Sequence, residues 1–300
     1  MVENIILKNL STSALLELDV TTTPYYILDK VEWGQIEAAH HSYKYVNQVG
    51  VTIVSTTLET RDVSIVGWIV ADKEESMEKR KHTLNRFVNP MQFINLKYKE
   101  YDLDFKPSRT VQYTANVNDN NEVVCKFKIT GIAADPLFRD SFQSKVTAAT
   151  VHGGFHFPLM INVEDNGKPT IMFGYKEPSL ILDVYNKGDT PTGFIIKFKA
   201  KGTVTNPSVI DVNTQKYMKI NKTLVAGEEI IINTVTGAKK ITGILNGVES
   251  NYYKYKDLKS TWLDLDIGDN LFRYDADSNL DALEVYFYFY NRYLEVEGCY

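Results

Sequence analysis

Hydrophobic positions in this chain recur mostly with a period of two, in short runs broken by Gly, Asn and Pro. Val63, Ile65, Gly67 and Ile69 alternate with Asp62, Ser64, Val66 and Trp68, so this run is apolar on both faces and predicts a central strand. Val123, Cys125, Phe127 and Ile129 alternate with Lys126, Lys128 and Thr130, which predicts a half-buried strand. The turn formers Asn118-Asp119-Asn120-Asn121 join it to a strand over 109–117 as a hairpin. One segment follows the helical period instead. Asp72-Lys73-Glu74-Glu75 has the form of a capping box with Asp72 as N-cap. Met77, Leu84, Phe87 and Val88 then share one face, the opposite face of Glu78, Lys79, Lys81 and Asn85 reads as solvated, and Asn89-Pro90 ends the run. The spacing predicts a helix over 73–88.

Between Phe138 and Phe155 the periodicity lapses and Gly153-Gly154 permits a sharp connection, so a domain boundary is placed there: 1–145 and 146–300. Beyond it, apolar segments 159–163 and 169–173 flank Asn166-Gly167, a hairpin signal. Further strands are expected at 180–184, 194–198, 216–220, 229–233, 239–242 and 261–266. The last is expected at 282–293, with Leu283, Val285, Phe287 and Phe289 on one face and Glu284, Tyr286, Tyr288 and Tyr290 on the other. Many short strands with Gly, Asn and Pro turns imply a β-sandwich. The stretch Ala39–Gln48 is polar and Tyr-rich, with weak periodicity, and reads as an extended arm within a long irregular segment over 39–60.

Composition narrows the class. A charged share of 24% against 44% hydrophobic is that of a soluble globular chain, and 12% aromatic content, with 19 Tyr and 14 Phe, favours β structure. The net charge of −5 provides no basic footprint for sequence-specific nucleic-acid binding. Cys125 and Cys299 show no pairing pattern and read as two free thiols. Met1-Val2-Glu3-Asn4 opens no secretory signal, and no stretch nears the roughly 20 apolar residues of a membrane helix. The chain is expected to be made in a cytoplasm, with no membrane partner.

Candidate chemistry is thin. His152 and His156 have a metal-like spacing, but Gly153-Gly154 between them breaks the helix that would align them. His40-His41 point apart on a strand, and His82 falls on the polar side of the helix. Asp264, Asp266, Asp269, Asp275, Asp277 and Asp281 form the densest carboxylate group, out of register with a calcium loop, and read as solvated. Neither a phosphate-cradling Gly-Lys-Ser/Thr loop nor a Gly-x-Ser-x-Gly elbow is present. No catalytic, cofactor-binding or metal-ligating residue is assigned.

One ordered series of motifs remains. It comprises Asn186-Lys187-Gly188-Asp189-Thr190-Pro191, Asn206-Pro207-Ser208, Ile231 to Gly237, Ser260-Thr261-Trp262-Leu263, Ile267-Gly268-Asp269-Asn270 and the aromatic strand Val285 to Tyr293. Before it stand Arg61 to Ile69, the capped helix with Asn89-Pro90, Ala134-Asp135-Pro136-Leu137-Phe138 and Gly154-Phe155-His156-Phe157-Pro158. Together these resemble the siphovirus-type tail component family, in particular its distal tail proteins. The resemblance implies a mainly β chain of two domains: an N-terminal, tail-tube-like β domain with one helix and a C-terminal galectin-like β-sandwich. It also implies a non-enzymatic hub at the virion tail tip of a phage or prophage, built as a homo-hexamer with a central DNA channel. Its partners would be the tail tube protein, the tail hub or tail-associated lysin and, in some phages, baseplate or receptor-binding parts. The His-Asn-Arg and Trp-Glu-Arg constellations of sugar-binding galectins are missing, so lectin activity is not implied. A carbohydrate-binding tail component is the alternative, and an aromatic platform flanked by polar groups on one sandwich face would favour it.

Overall fold

A computed structural model of the chain describes residues 4–20, 25–119, 122–147, 150–153, 174–177 and 181–296. The chain is mainly β, and its contacts divide it into two compact units. The first comprises the residues up to Phe142 together with those from Arg292 onward, and the second is Gln143–Asn291.

Unit 1 begins with β1 (Asn4–Asn9), β2 (Leu15–Asp19), β3 (Tyr26–Trp33), β4 (Ala38–Tyr43), β5 (Thr52–Leu58) and β6 (Arg61–Ala71). Helix α1 (Glu74–Phe87) follows, then β7 (Ile94–Tyr98), β8 (Tyr101–Pro107), β9 (Gln112–Tyr113), β10 (Val117–Asp119), β11 (Glu122–Ala133) and β12 (Phe138–Asp140). The strand order β11-β6-β3-β2-β1-β7-β8 returns to β11, because Pro107 and Lys106 of β8 pair with Gly131 and Ile132. β6 is central as its pattern predicts, with β11 on one side and β3 on the other. At Gly67 of this strand a Cβ would lie 2.5 Å from the Ile27 carbonyl and 2.6 Å from the Phe127 ring, so only glycine lets the three elements approach this closely. The core gathers Val63, Ile65, Ile69, Phe105, Phe127, Ile129 and Phe138.

Helix α1 lies on β6 and β11 and turns Met77, Leu84 and Val88 into this core, with Phe87 half-buried beside them. Two expectations about it need correction. Its N-cap is Lys73, in extended backbone, with no side-chain cap hydrogen bond, so Asp72 forms no capping box. Lys81 is not solvated: its ammonium meets Asn116 Oδ1 at 2.8 Å and lies 5.5 Å from the centre of the Tyr113 ring. The β7–β8 hairpin carries no turn signal in sequence, since its bend is Lys99-Glu100, with Lys99 held at φ 54°.

Unit 2 opens with β13 (Ser144–Thr147), β14 (Thr150–Gly153) and β15 (Gly174–Glu177), followed by β16 (Ile181–Asn186), β17 (Phe194–Ala200) and β18 (Val204–Thr205). Next come β19 (Ser208–Asp211), β20 (Tyr217–Lys219), β21 (Thr223–Leu224) and β22 (Glu229–Asn233). It ends with β23 (Lys240–Leu245), β24 (Val248–Asn251), β25 (Gly268–Asp275) and β26 (Leu283–Phe289). Two sheets enclose its core: β13-β26-β17-β22-β23-β24 and β16-β25-β19-β20. Phe272 of the second sheet meets Phe194 and Phe287 of the first at ring-centroid distances of 5.4 and 5.2 Å, which ties the layers together.

Three boundary expectations change. The irregular linker at 139–155 contains β12, β13 and β14, and the units part between Phe142 and Gln143. The segment 261–266 is not a strand, although Leu263 and Leu265 are buried and Asp264 and Asp266 exposed as the alternation required. The final strand breaks after Phe289, and β27 (Arg292–Tyr293) pairs with β12 in unit 1, so the chain from Arg292 does not belong to the C-terminal unit. The predicted hairpin at Asn166-Gly167 and the Gly154–Pro158 motif lie outside the described residues.

Candidate functional site

The ordered motifs of unit 2 close its turns. Asn186 is buried and donates from Nδ2 to the carbonyls of Thr190 (3.1 Å) and Leu265 (3.3 Å), while its Oδ1 accepts from the Gly188 N–H. Asn270 likewise accepts from the Asp266 N–H at 2.8 Å and donates to the carbonyls of Asp266, Gly268 and Val184. The buried hydroxyl of Thr234 accepts from the Phe194 N–H at 2.9 Å and donates to its carbonyl, and Asn206, at φ 52°, donates to Asp277 at 2.7 Å. Buried polar groups must be hydrogen-bonded, and these side chains meet that demand partly within their own turns and partly by tying those turns to neighbouring loops and strands. Their role is architecture.

The residues singled out for possible chemistry are scattered. His40 and His41 sit exposed on β4, with His40 Nδ1 at 2.9 Å from Thr56 Oγ1, and His82 is exposed on α1. His152 is on β14, while His156 and Cys299 lie outside the described residues. Cys125 is a buried free thiol that donates to the Thr114 carbonyl. Asp277 is engaged with Lys219 and Asn206, and the hydrogen bond from Lys219 is the main cause that holds its carboxyl below the usual range. Asp264 moves the other way: although the residue is exposed, its carboxyl is partly desolvated by its neighbours, which raises it. Among the described residues no group of three or more His, Cys, Asp or Glu is placed to hold a metal, and no helix is long and apolar enough to cross a membrane.

Tyr286 and Tyr288 form an aromatic pair on the polar face of β26, with ring centroids 6.4 Å apart. Burial first, and the Glu284 carboxylate that accepts from its phenol at 3.0 Å, push the Tyr286 hydroxyl up to about 12. The Lys145 ammonium lies over both rings, at 4.6 and 5.7 Å. A cation so placed occupies the face on which a sugar would stack.

The exposed arm is the feature without an internal use. β4 and β5 pair with each other and, among the described residues, with no other strand. The segment is therefore a β-hairpin, not the irregular stretch expected over 39–60. Its tip is ordered: Gln48 accepts from the Tyr45 N–H at 3.0 Å and donates to Thr52 Oγ1 at 2.9 Å, and the Tyr43 and Tyr45 rings meet edge to face. Asn47 and Gly50 supply the positive φ values that the bend needs. Along it Val46 is 92% and Val49 99% exposed, and Val51, Ile53, Val54 and Leu58 are exposed as well. The alternation of Val49, Val51 and Ile53 with Gly50 and Thr52 is the signal that the reading of 39–60 as irregular passed over.

Unit 1 carries a second exposed apolar place, a depression between Leu10, Met91, Phe93 and Ala134, edged by Asp104 and Asp135. The buried side chain of Asn9 lies behind it and holds two of its lining residues, Ser11 and Gln92. It donates to the Phe87 carbonyl and to Gln92 Oε1, and it accepts from the N–H groups of Ser11 and Thr12.

Residues 187–293 match the family model of the siphovirus-type tail component, C-terminal domain. The crystal structure of the Dit protein of phage SPP1, described as a paradigm of the hub adsorption apparatus in phages infecting Gram-positive bacteria, superposes with a TM-score of 0.63. It does so at 12% identity, over 96% of this chain and 98% of that one. The phage P2 baseplate in its activated conformation with calcium gives 0.53 at 12% identity, over 96% and 97% of the two chains. The strontium form gives 0.51 at 11% identity, over 99% of both. No curated protein matches in sequence. Residues 187–293 are thus similar to the C-terminal domain of siphovirus-type tail components, and the fold of the whole chain is similar to that of SPP1 Dit.

Proposed function

We propose that this protein is a non-enzymatic structural hub of a phage tail tip, six copies of which close into a ring around a channel for DNA. The ring joins the end of the tail tube to the tail hub or tail-associated lysin and carries baseplate or receptor-binding parts. Unit 1 supplies the ring contacts and unit 2 is the outward module. The observation that carries this reading is the β4–β5 arm. A two-stranded hairpin is marginal alone in water, and a row of exposed Val, Ile and Leu along one marks an interaction surface. Arm and apolar depression are different surfaces of one unit, which is what a head-to-tail contact needs, and such a contact closes into a ring when its rotation permits. The net charge of −5 suits a channel through which a polyanion must slide without sticking.

Electron microscopy of the purified full chain, with light scattering for its mass, tests the proposal. Rings of six copies are expected. A monomer at all concentrations, or an assembly unaffected by changes in the arm, overturns it. The saccharide-binding reading gains no support, since the aromatic pair that would carry it lies under Lys145.

A further inference from the structure

Residues 292–296 follow all of unit 2 in the chain, yet they belong to unit 1. Tyr293 and Arg292 pair antiparallel with Phe138 and Arg139, so β27 covers the outer edge of β12. The Tyr293 ring meets Tyr101 edge to face at 5.1 Å, and Arg292 makes an ion pair with Asp135. Val296 is buried in the same core as Trp33 and Phe138. The most telling partner is Arg61, at the start of the central strand β6. Its side chain is fully buried, its guanidinium lies 4.9 Å from the Phe138 ring centre, and it donates to the Leu294 carbonyl and approaches Glu295 Oε1 at 3.4 Å.

We infer that residues 292–296 are a closing strap, without which unit 1 cannot reach its final packed state. A buried guanidinium is tolerated only with acceptors that replace water, and the strap brings two of them. The strap also turns β12 from an open edge, which is a template for pairing with other chains, into an interior strand. Unit 2 lies wholly within Gln143–Asn291, and its core cluster draws on none of residues 292–296. The order of closure therefore runs against the order of the chain: unit 2 can complete itself first, and unit 1, with its exposed arm, closes only after the strap docks. Chains lacking the strap are thereby kept from presenting a finished unit 1.

Hydrogen exchange on the full-length protein tests this, residue by residue. In Val296→Ala, amides of β6 and β12 should exchange about tenfold faster or more, while those of β17, β22 and β26 keep their wild-type rates. The milder Arg292→Ala, which removes only the pair with Asp135, should speed exchange in β12 alone. During refolding of the wild type, pulse labelling should protect β17 and β26 before β6. Selective unfolding of unit 1 in Val296→Ala supports the strap. Unchanged exchange in β6 and β12, equal acceleration in both units, or protection of β6 ahead of β26 overturns it.

Discussion

The phenol of Tyr252 donates a 2.8 Å hydrogen bond to the carboxylate of Glu228, a side chain fully buried in unit 2. The same carboxylate receives the Lys222 ammonium at 2.7 Å and the Val225 N–H at 3.1 Å. Burial alone would raise the Glu228 carboxyl, but these three donors outweigh it and hold it below its ordinary value. Tyr252 responds in the opposite sense, pushed up to about 12 by burial and then by Glu228.

A carboxyl depressed in the folded state contributes stability that is complete above its unfolded value, about pH 4.3, and lost as pH falls through the folded one. Glu228→Ala should destabilise unit 2 by about 1–3 kcal/mol at pH 7, because it leaves a half-buried ammonium and phenol without their acceptor. With Glu228→Gln, the stability gap to wild type should narrow as pH falls from 7 to below 4. Urea unfolding at several pH values reads both effects, and a gap that stays constant would contradict the assignment.

The buried face of α1 gives a sharper comparison than sequence alone allowed. Leu84→Ala should cost about 2–5 kcal/mol, since its side chain lies in the core of unit 1. The proper surface control is Lys79→Ala, whose side chain is 76% exposed and whose only ion pair is with Glu75; it should change stability by under about 0.5 kcal/mol. Lys81→Ala should cost more than Lys79→Ala, because Asn116 and the Tyr113 ring lose their partner. Thermal unfolding that ranks Lys79 and Lys81 equally would remove the role given to Lys81.

The arm separates assembly from folding. Val46→Asp combined with Val49→Asp places two charges on side chains that touch almost nothing within the chain, so stability should shift by under about 0.5 kcal/mol. Assembly should be lost at the same time. Light scattering gives the mass and circular dichroism the melting temperature. If mass is retained while the protein stays folded, the arm is not the contact that builds the ring.

Asn270 tests the architectural reading of the motif series. Its amide makes hydrogen bonds to Val184, Asp266 and Gly268, all from one buried position. Asn270→Ala should cost about 1–3 kcal/mol, the penalty of leaving such groups unpaired, and should loosen the 266–270 turn. Chemical denaturation and exchange at the Asp266 amide check both. A neutral effect on stability would return this motif to the list of candidate functional positions.

Much of this protein was determined by sequence alone, because its signals are local. Alternation placed β6, β11, β17, β22 and β26, the 3.6 period placed α1 and its buried Met77 and Leu84, and the order of Asn and Gly turns carried the resemblance to tail components that residues 187–293 match. Local signals end where the deciding partner is distant. The β7–β8 hairpin turns at Lys99-Glu100, where no turn residue announces it and the cross-strand pairing holds Lys99 at positive φ. Arg61 reads as the polar start of a strand, and only the return of Leu294, 233 residues later, makes it a buried donor. The strand expected over 282–293 takes in Leu283 to Phe289 and Arg292-Tyr293 alike, yet the chain changes units between them. A period specifies which side of a strand is apolar; which edge that strand then finds is decided by packing, and packing exists only in the folded chain.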